Sequence, residues 1–248
     1  MASSLYDRIG RGYAHARRAD PRIADAIEQA LGDAHDVLNV GAGTGSYEPA
    51  ARRVLAVEPA AEMRAQRPPE SAQCIAAAAE QLPLPDASVD AAMAIYTDFH
   101  WRDRREGVAE MLRVSRDRVV LLTVDRRAAE RYWLTRDYFP AANEMFAPLA
   151  SITELFPASP QITPIPIPHD CRDGFVHAFW KRPHALLDPD LRTTMALFAR
   201  LSPDVVHAGV RRLRADLESG AWEQRNHELA DLESLDLGHR LISWRHQR

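Results

Sequence analysis

The chain has 248 residues, 46% hydrophobic and 27% charged, with a formal net charge of −4. That length accommodates one α/β domain, or a domain with a small subdomain, around a substantial core. The acid excess argues against nucleic acid as a main partner, since such proteins carry a basic stripe, and the lack of a spanning apolar run or an apolar N-terminal core leads us to expect a cytoplasmic protein with no membrane partner.

Leu5 to Arg18 contains Tyr6, Tyr13, Arg17 and Arg18 ahead of the first clean helix signal. Asp20 can cap that helix and Pro21 can take its first position, predicting a helix to Leu31 that stops at Gly32. Val37, Leu38 and Val40 form a short apolar run suited to a strand buried on both faces. Gly41, Ala42, Gly43, Thr44 and Gly45 then make a glycine turn, whose missing β-carbons let a ligand approach bare backbone. A second run from Val54 to Val57 ends in Glu58, where, about 20 residues beyond a glycine turn, a carboxylate can accept both ribose hydroxyls. Alone, Gly-x-Gly also fits an ordinary turn. The connection from Gly41 to Arg53 is near the minimum for a parallel crossover, and Pro49 permits helix only in its first turn, so a stunted first helix is expected.

Pro59 starts a short helix carrying Met63, and Gln73 to Ala76 suits a third strand. Ala79-Glu80 leads through a proline-set loop into a fourth strand, Asp90 to Ile95, whose carboxyl end opens into Tyr96-Thr-Asp-Phe-His-Trp101. Ligands on open parallel sheets bind beyond the carboxyl ends of strands, so this loop is the expected place for chemistry. Asp103 and Glu106 read as a capping box for a helix through Val114, and Val119 to Thr123 is the fifth strand. Farther on lie an extended run to Ile167, the polar turn His169-Asp170-Cys171-Arg172-Asp173-Gly174, and helices starting at Asp188-Pro189 and Ser202-Pro203 that reach Arg200 and Leu217. Leu241 to Trp244 forms a closing strand. The polar turn suits a small polar substrate pocket, or equally a capped helix start. Cys74 and Cys171 lack metal-ligand spacing and read as reduced thiols, so no metal is expected.

Gly-x-Gly-x-Gly followed by an acid closing the second strand resembles the first motifs of the class I S-adenosylmethionine (SAM) methyltransferases. Phe99-His100-Trp101 with Asp103 resembles the segment after strand four in the small-molecule, trans-aconitate methyltransferase-like, type-11-like group. The resemblance implies an α/β Rossmann-like sheet of seven strands, the last antiparallel and beside strand five, with a helical insertion between the last two strands. It divides the chain into a SAM-binding domain, 1–167 plus 239–248, with an N-terminal helical lid, and a substrate-covering insertion, 168–238. It implies SAM as cofactor, held by Tyr13, Arg17, Gly41, Ala42, Gly43, Gly45, Glu58, Pro59, Met63, Ala79, Glu80 and Tyr96. Ala78 stands where the family often has an aspartate on the adenine amine, which moves that expectation to Ala79 and Glu80. For Tyr13 and Arg17 the alternative is surface packing, and for His100 a packed structural histidine.

The expected reaction is methyl transfer to a small-molecule acceptor at oxygen, nitrogen, carboxylate or carbon. His100 and His169 are the candidates to orient or deprotonate the acceptor, with Trp101, Asp170 and Asp173 lining its pocket. An ionised carboxylate would need no base. Two other readings remain. A protein of the same fold could bind SAM or a metabolite without methyl transfer, or run another reaction. An NAD-dependent dehydrogenase would share the first strand and turn, but Ser46 stands where its third glycine belongs.

Overall fold

A computed structural model describes residues 17–246; Tyr13 lies outside them. Asp20 opens the first helix as its chemistry predicts: its carboxylate accepts the N–H of Arg22 at 3.1 Å, and Pro21 sits where a missing N–H costs nothing. The helix runs Pro21–Leu31 and buries Ile23, Ile27 and Leu31, one residue per turn on a single stripe.

Seven strands form the main sheet, in the order β3-β2-β1-β4-β5-β9-β6. They are β1 (Asp36–Val40), β2 (Arg53–Val57), β3 (Gln73–Ile75), β4 (Val89–Ile95), β5 (Ser115–Val124), β6 (Gln161–Pro164) and β9 (His239–Arg245). The first five are parallel to one another, while β9 runs antiparallel between β5 and β6. Alternation fixes the faces. Val120, Leu122 and Val124 pack with Ile23 and Ile27, while Val119 and Leu121 pack with Val108, Met111 and Val114 of the helix Arg104–Val114.

Three expectations need correction. Strand six stops at Pro164 instead of Ile167, and it sits at the sheet edge with β9 between it and β5. Pro164 and Pro166 have no N–H to extend a ladder, which suits an edge and ends it. Ile167–Pro168 (β7) instead pairs with Ser234–Leu235 (β8) in a separate two-stranded sheet. Between β1 and β2 there is no helix at all, and residues 41–52 cross by turns. The helix expected from Asp188 to Arg200 divides into Pro189–Thr193 and Ala196–Ala199, because Met195 takes an extended backbone that buries its side chain.

The insertion has no core of its own. Trp180, Leu186 and Leu213 belong to the same apolar cluster as Val120 and Leu122 of the sheet, so burying them stabilises cap and sheet together. A second tie is polar: Asp20 is fully buried, and its other oxygen accepts the N–H of Arg172 in the insertion at 3.1 Å.

Burial alone would push the Asp20 carboxyl up, but the Arg22 side chain and the N–H groups of Arg172 and Arg22 bring it down to about 2. A carboxylate lowered on folding contributes stability above its unfolded pKa, near 3.9, and loses it as pH falls through the folded value. Asp20→Ala should therefore cost about 1–2 kcal/mol near pH 7 in urea unfolding. The gap between variant and parent should close as pH drops from about 4 toward 2.

Candidate active site

The glycine turn follows β1 in the middle of the sheet. Gly41 and Gly43 have φ of 68° and 53°, a region costly for residues with a β-carbon. At Gly41 a β-carbon would fall 2.1 Å from Thr97 Oγ1, whereas at Gly43 it would meet nothing within 4 Å. The turn is thus locked on one side and open on the other. Glu58, just beyond β2, faces the same opening. Its Oε2 accepts the Gly43 N–H at 2.9 Å and its Oε1 the Ala60 N–H at 2.8 Å. Burial pushes its carboxyl above the usual range, opposed by those two N–H groups. Above the turn lies a cavity lined by the turn, Asn39, Glu58, Met63, Thr97, Tyr96 and Arg17.

Tyr96 and Arg17 also line a second cavity, so these two residues form the wall between the cavities. Tyr96 has φ of 55°, an outlier for a bulky residue and of the kind found at ligand sites. Arg17 is gripped by the fully buried Asp173: Nε donates to Oδ1 at 2.5 Å and Nη2 to Oδ2 at 3.1 Å. Tyr47, at the end of the glycine turn, donates its hydroxyl to the same carboxylate at 2.8 Å.

The second cavity is mostly apolar, walled by Phe99, Met145, Phe146, Phe175, Met195 and Leu197, with three histidines among its lining residues. Arg200 donates to Nδ1 of His100 at 2.8 Å. Burial, with Arg200 and Arg17 nearby, lowers His100 to about 3. The other two histidines form a chain with Tyr96. The Tyr96 hydroxyl lies 2.7 Å from His239 Nδ1, and His239 Nε2 lies 2.8 Å from His177 Nδ1. Burial lowers His177 to about 3 and His239 well below the ordinary value.

A family model for a methyltransferase domain matches residues 38–123. Among solved structures, the chain is similar to a protein described as a methyltransferase from an antibiotic biosynthesis pathway of Anabaena variabilis ATCC 29413. The two share 35% identity with a TM-score of 0.84, over 92% of this chain and 98% of that one. This chain belongs to the class I SAM-dependent methyltransferases. The [4+2]-cyclase SpnF shares the fold at 17% identity and a TM-score of 0.57, over 97% of this chain and 92% of that one. A geranyl diphosphate methyltransferase does so at 14% and 0.50, over 91% and 78%. No curated protein matches the chain. It is an enzyme of methyl transfer with a seven-stranded Rossmann-like sheet, and the dehydrogenase alternative falls away.

Within this methyltransferase the expected site residues separate into two groups. Arg17, Gly41, Ala42, Gly43, Glu58, Met63 and Tyr96 line the cavity above the turn, and Gly45 completes the turn. Pro59, Ala79 and Glu80 do not line it. Ala79 is core, and Glu80 accepts the N–H groups of Arg102 and Asp103 at 2.6 and 3.2 Å. Glu80 thereby supplies the half of the capping box expected from Glu106, while Asp103 still accepts from Arg105 and Glu106.

His100 lines the apolar cavity, but Trp101 turns away from it and covers Gly107, where a β-carbon would meet its ring at 2.4 Å. His169 and Asp170 line a separate surface recess with Arg22 and Glu233, and Asp170 pairs with Arg22 at 2.8 Å. His169 therefore shares no cavity with His100, its fellow candidate for orienting the acceptor, because β7 pairs with β8 and carries it to the outside. Asp173 is beside the wall, yet its oxygens are already taken by Arg17, Tyr47 and the Gly174 N–H, so it is a counter-ion in place of a substrate ligand.

Sequence reasoning passed over Thr97, Tyr47, His177 and His239. Gly238 immediately before the closing strand that His239 opens was the available signal for the last.

Removing one partner of a buried ion pair costs about 3–5 kcal/mol. Asp173→Ala should lower stability by that order in denaturant unfolding, since Arg17 loses its buried carboxylate. A wild-type unfolding curve would instead return Asp173 to the role of an exposed substrate contact.

Proposed function

We propose that this enzyme methylates a small, largely apolar molecule held in the second cavity, with SAM bound above the glycine turn. The observation that carries the reading is the pair of cavities, one polar and one apolar, meeting at Arg17 and Tyr96. Two reactants in such cavities face each other across one boundary, as an in-line displacement requires. The residues above the turn fit the cofactor: open space at Gly43, and a carboxylate at the end of β2 with acceptor capacity left for ribose hydroxyls. When bound, SAM supplies an activated methyl group on sulfur.

The protein's own work is then binding, alignment and exclusion of water. Glu58 holds the ribose, and the bare turn admits the nucleoside. Arg17, fixed by Asp173, and the strained Tyr96 define the aperture between donor and acceptor. His100, fixed by Arg200, orients the acceptor from the apolar side. None of the three cavity histidines has a pKa near the working pH, as a general base needs, because burial holds all three low. We therefore assign an acceptor atom that is nucleophilic without help, as an ionised carboxylate is. Similarity to a protein described as belonging to an antibiotic pathway agrees with a small-molecule acceptor.

Glu58→Ala should weaken S-adenosylhomocysteine (SAH) binding about ten-fold or more, since a hydrogen bond to a charged group contributes about 1.5–3 kcal/mol. Calorimetry checks it, and unchanged affinity would remove Glu58 from the cofactor site. Gly43→Val should lose SAH affinity while remaining folded by circular dichroism. Turnover is tested by incubating the enzyme with methyl-labelled SAM and a panel of apolar acids, amines and phenols, then following SAH release. With an acceptor in hand, kcat/KM should show no histidine inflection between pH 5.5 and 8, because His100 at about 3 is already neutral throughout. A fall in rate below pH 6.5, not explained by the acceptor's own ionisation, would mean a histidine base with an ordinary pKa.

A further inference from the structure

Six buried side-chain polar atoms lack a hydrogen-bond partner among the described residues, and only one of them, His177 Nε2, belongs to a residue lining the apolar cavity. His177 is 2% exposed. Such orphaned groups are rare and costly in folded proteins, and this one ends a chain that begins at the boundary with the cofactor cavity.

The chain has a direction. Among the described residues the Tyr96 hydroxyl has one partner, His239 Nδ1, at 2.7 Å. If Tyr96 donates there, the His239 proton sits on Nε2 and is donated to His177 Nδ1 across 2.8 Å. His177 must then carry its own proton on Nε2. The opposite direction would leave the Tyr96 O–H without an acceptor as well as His177 Nε2 without a donor, so one more group would be unsatisfied. Both imidazoles are neutral, held so by burial, and edge contacts fix their planes: Tyr132 lies 5.0 Å from His177 and Tyr96 5.3 Å from His239, centroid to centroid.

We propose that His177 is the specificity-determining residue of the acceptor cavity, its Nε2–H donating to a carbonyl or ether oxygen of an otherwise apolar, uncharged portion of the acceptor. The assignment rests on the reading of this cavity as the acceptor site. His177 acts as an anchor and not as a base, since its only lone-pair nitrogen, Nδ1, already accepts from His239. A site built to donate one hydrogen bond discriminates against the analogue lacking that oxygen, because the buried N–H is then left unpaired.

The test uses two probes with the same apolar body, 1-tetralone and tetralin, which differ by one carbonyl. The full chain saturated with SAH is titrated with each by calorimetry, alongside His177→Phe and His177→Gln. The expected result is that wild type prefers the ketone by about five- to ten-fold. His177→Phe, similar in shape but without a donor, should abolish that preference, and His177→Gln, which keeps an N–H, should retain part of it. Equal affinity for the two probes in wild type, no binding of the ketone, or an undiminished preference in His177→Phe overturns the proposal. The titration is repeated without SAH, so the probe ratio is obtained either way. Failure of wild type to bind SAH counts against the cofactor reading, whereas a missing ketone preference counts against His177.

Discussion

The carboxylate of Asp173 joins three stretches of chain that are remote in sequence: Arg17 before the first helix, Tyr47 at the end of the glycine turn, and the backbone of its own loop in the insertion. A buried carboxylate is tolerable only with its charge paired and its lone pairs filled, so the geometry around it is narrowly fixed. Asp20 makes a parallel clasp a few residues on, tying the first helix to Arg172. Together the two carboxylates hold the insertion over the carboxyl ends of the strands. They also place Arg17 at the boundary between the cavities.

What lies on either side of that boundary differs in character for a physical reason. On the side of the glycine turn the backbone is exposed, because a β-carbon at Gly43 has no neighbour and Glu58 closes the far wall. On the apolar side the insertion contributes bulky groups from Phe175, Met195 and Leu197. Polar groups that must lie there are paired with each other instead of with solvent. The Tyr96–His239–His177 chain is the result, and the strained φ of Tyr96 is where the two environments meet.

The sequence disclosed the parts of this arrangement that are local. Asp20-Pro21 announced the first helix, the glycine turn and Glu58 announced one wall of a cavity, and the loop after β4 contained Tyr96 and His100. It hid the parts made by topology. His177 and His239 are 62 residues apart, and nothing in either neighbourhood links them. They meet because β9 runs antiparallel to β5, which sets its first residue, His239, opposite Val124 at the carboxyl end of the sheet. His169 misled for the same reason: a polar turn reads as a pocket until β7 pairs with β8 and points it elsewhere. Glu80, assigned to adenine by its place in the chain, instead accepts the backbone N–H groups of Arg102 and Asp103.

The missing helix after β1 shows how much of a familiar site can be rebuilt by other means. With about a dozen residues to cross between parallel strands and Pro49 among them, the chain makes turns, so residues 41–52 bring no helix dipole to the cavity above the glycine turn. Side chains stabilise the crossover instead. Arg67 donates to both oxygens of Glu48 at 2.7 and 2.9 Å and to the Gly43 carbonyl at 3.2 Å, while Asn39 donates to Glu48 at 3.2 Å. Both ends of that pair are nearly excluded from solvent, where such contacts are strong and their geometry specific. The turn is therefore held from behind by an arginine on its carbonyl side and from the front by Glu58 on its N–H side. The backbone at Gly43 is pinned without any side chain intruding into the space a ligand would use.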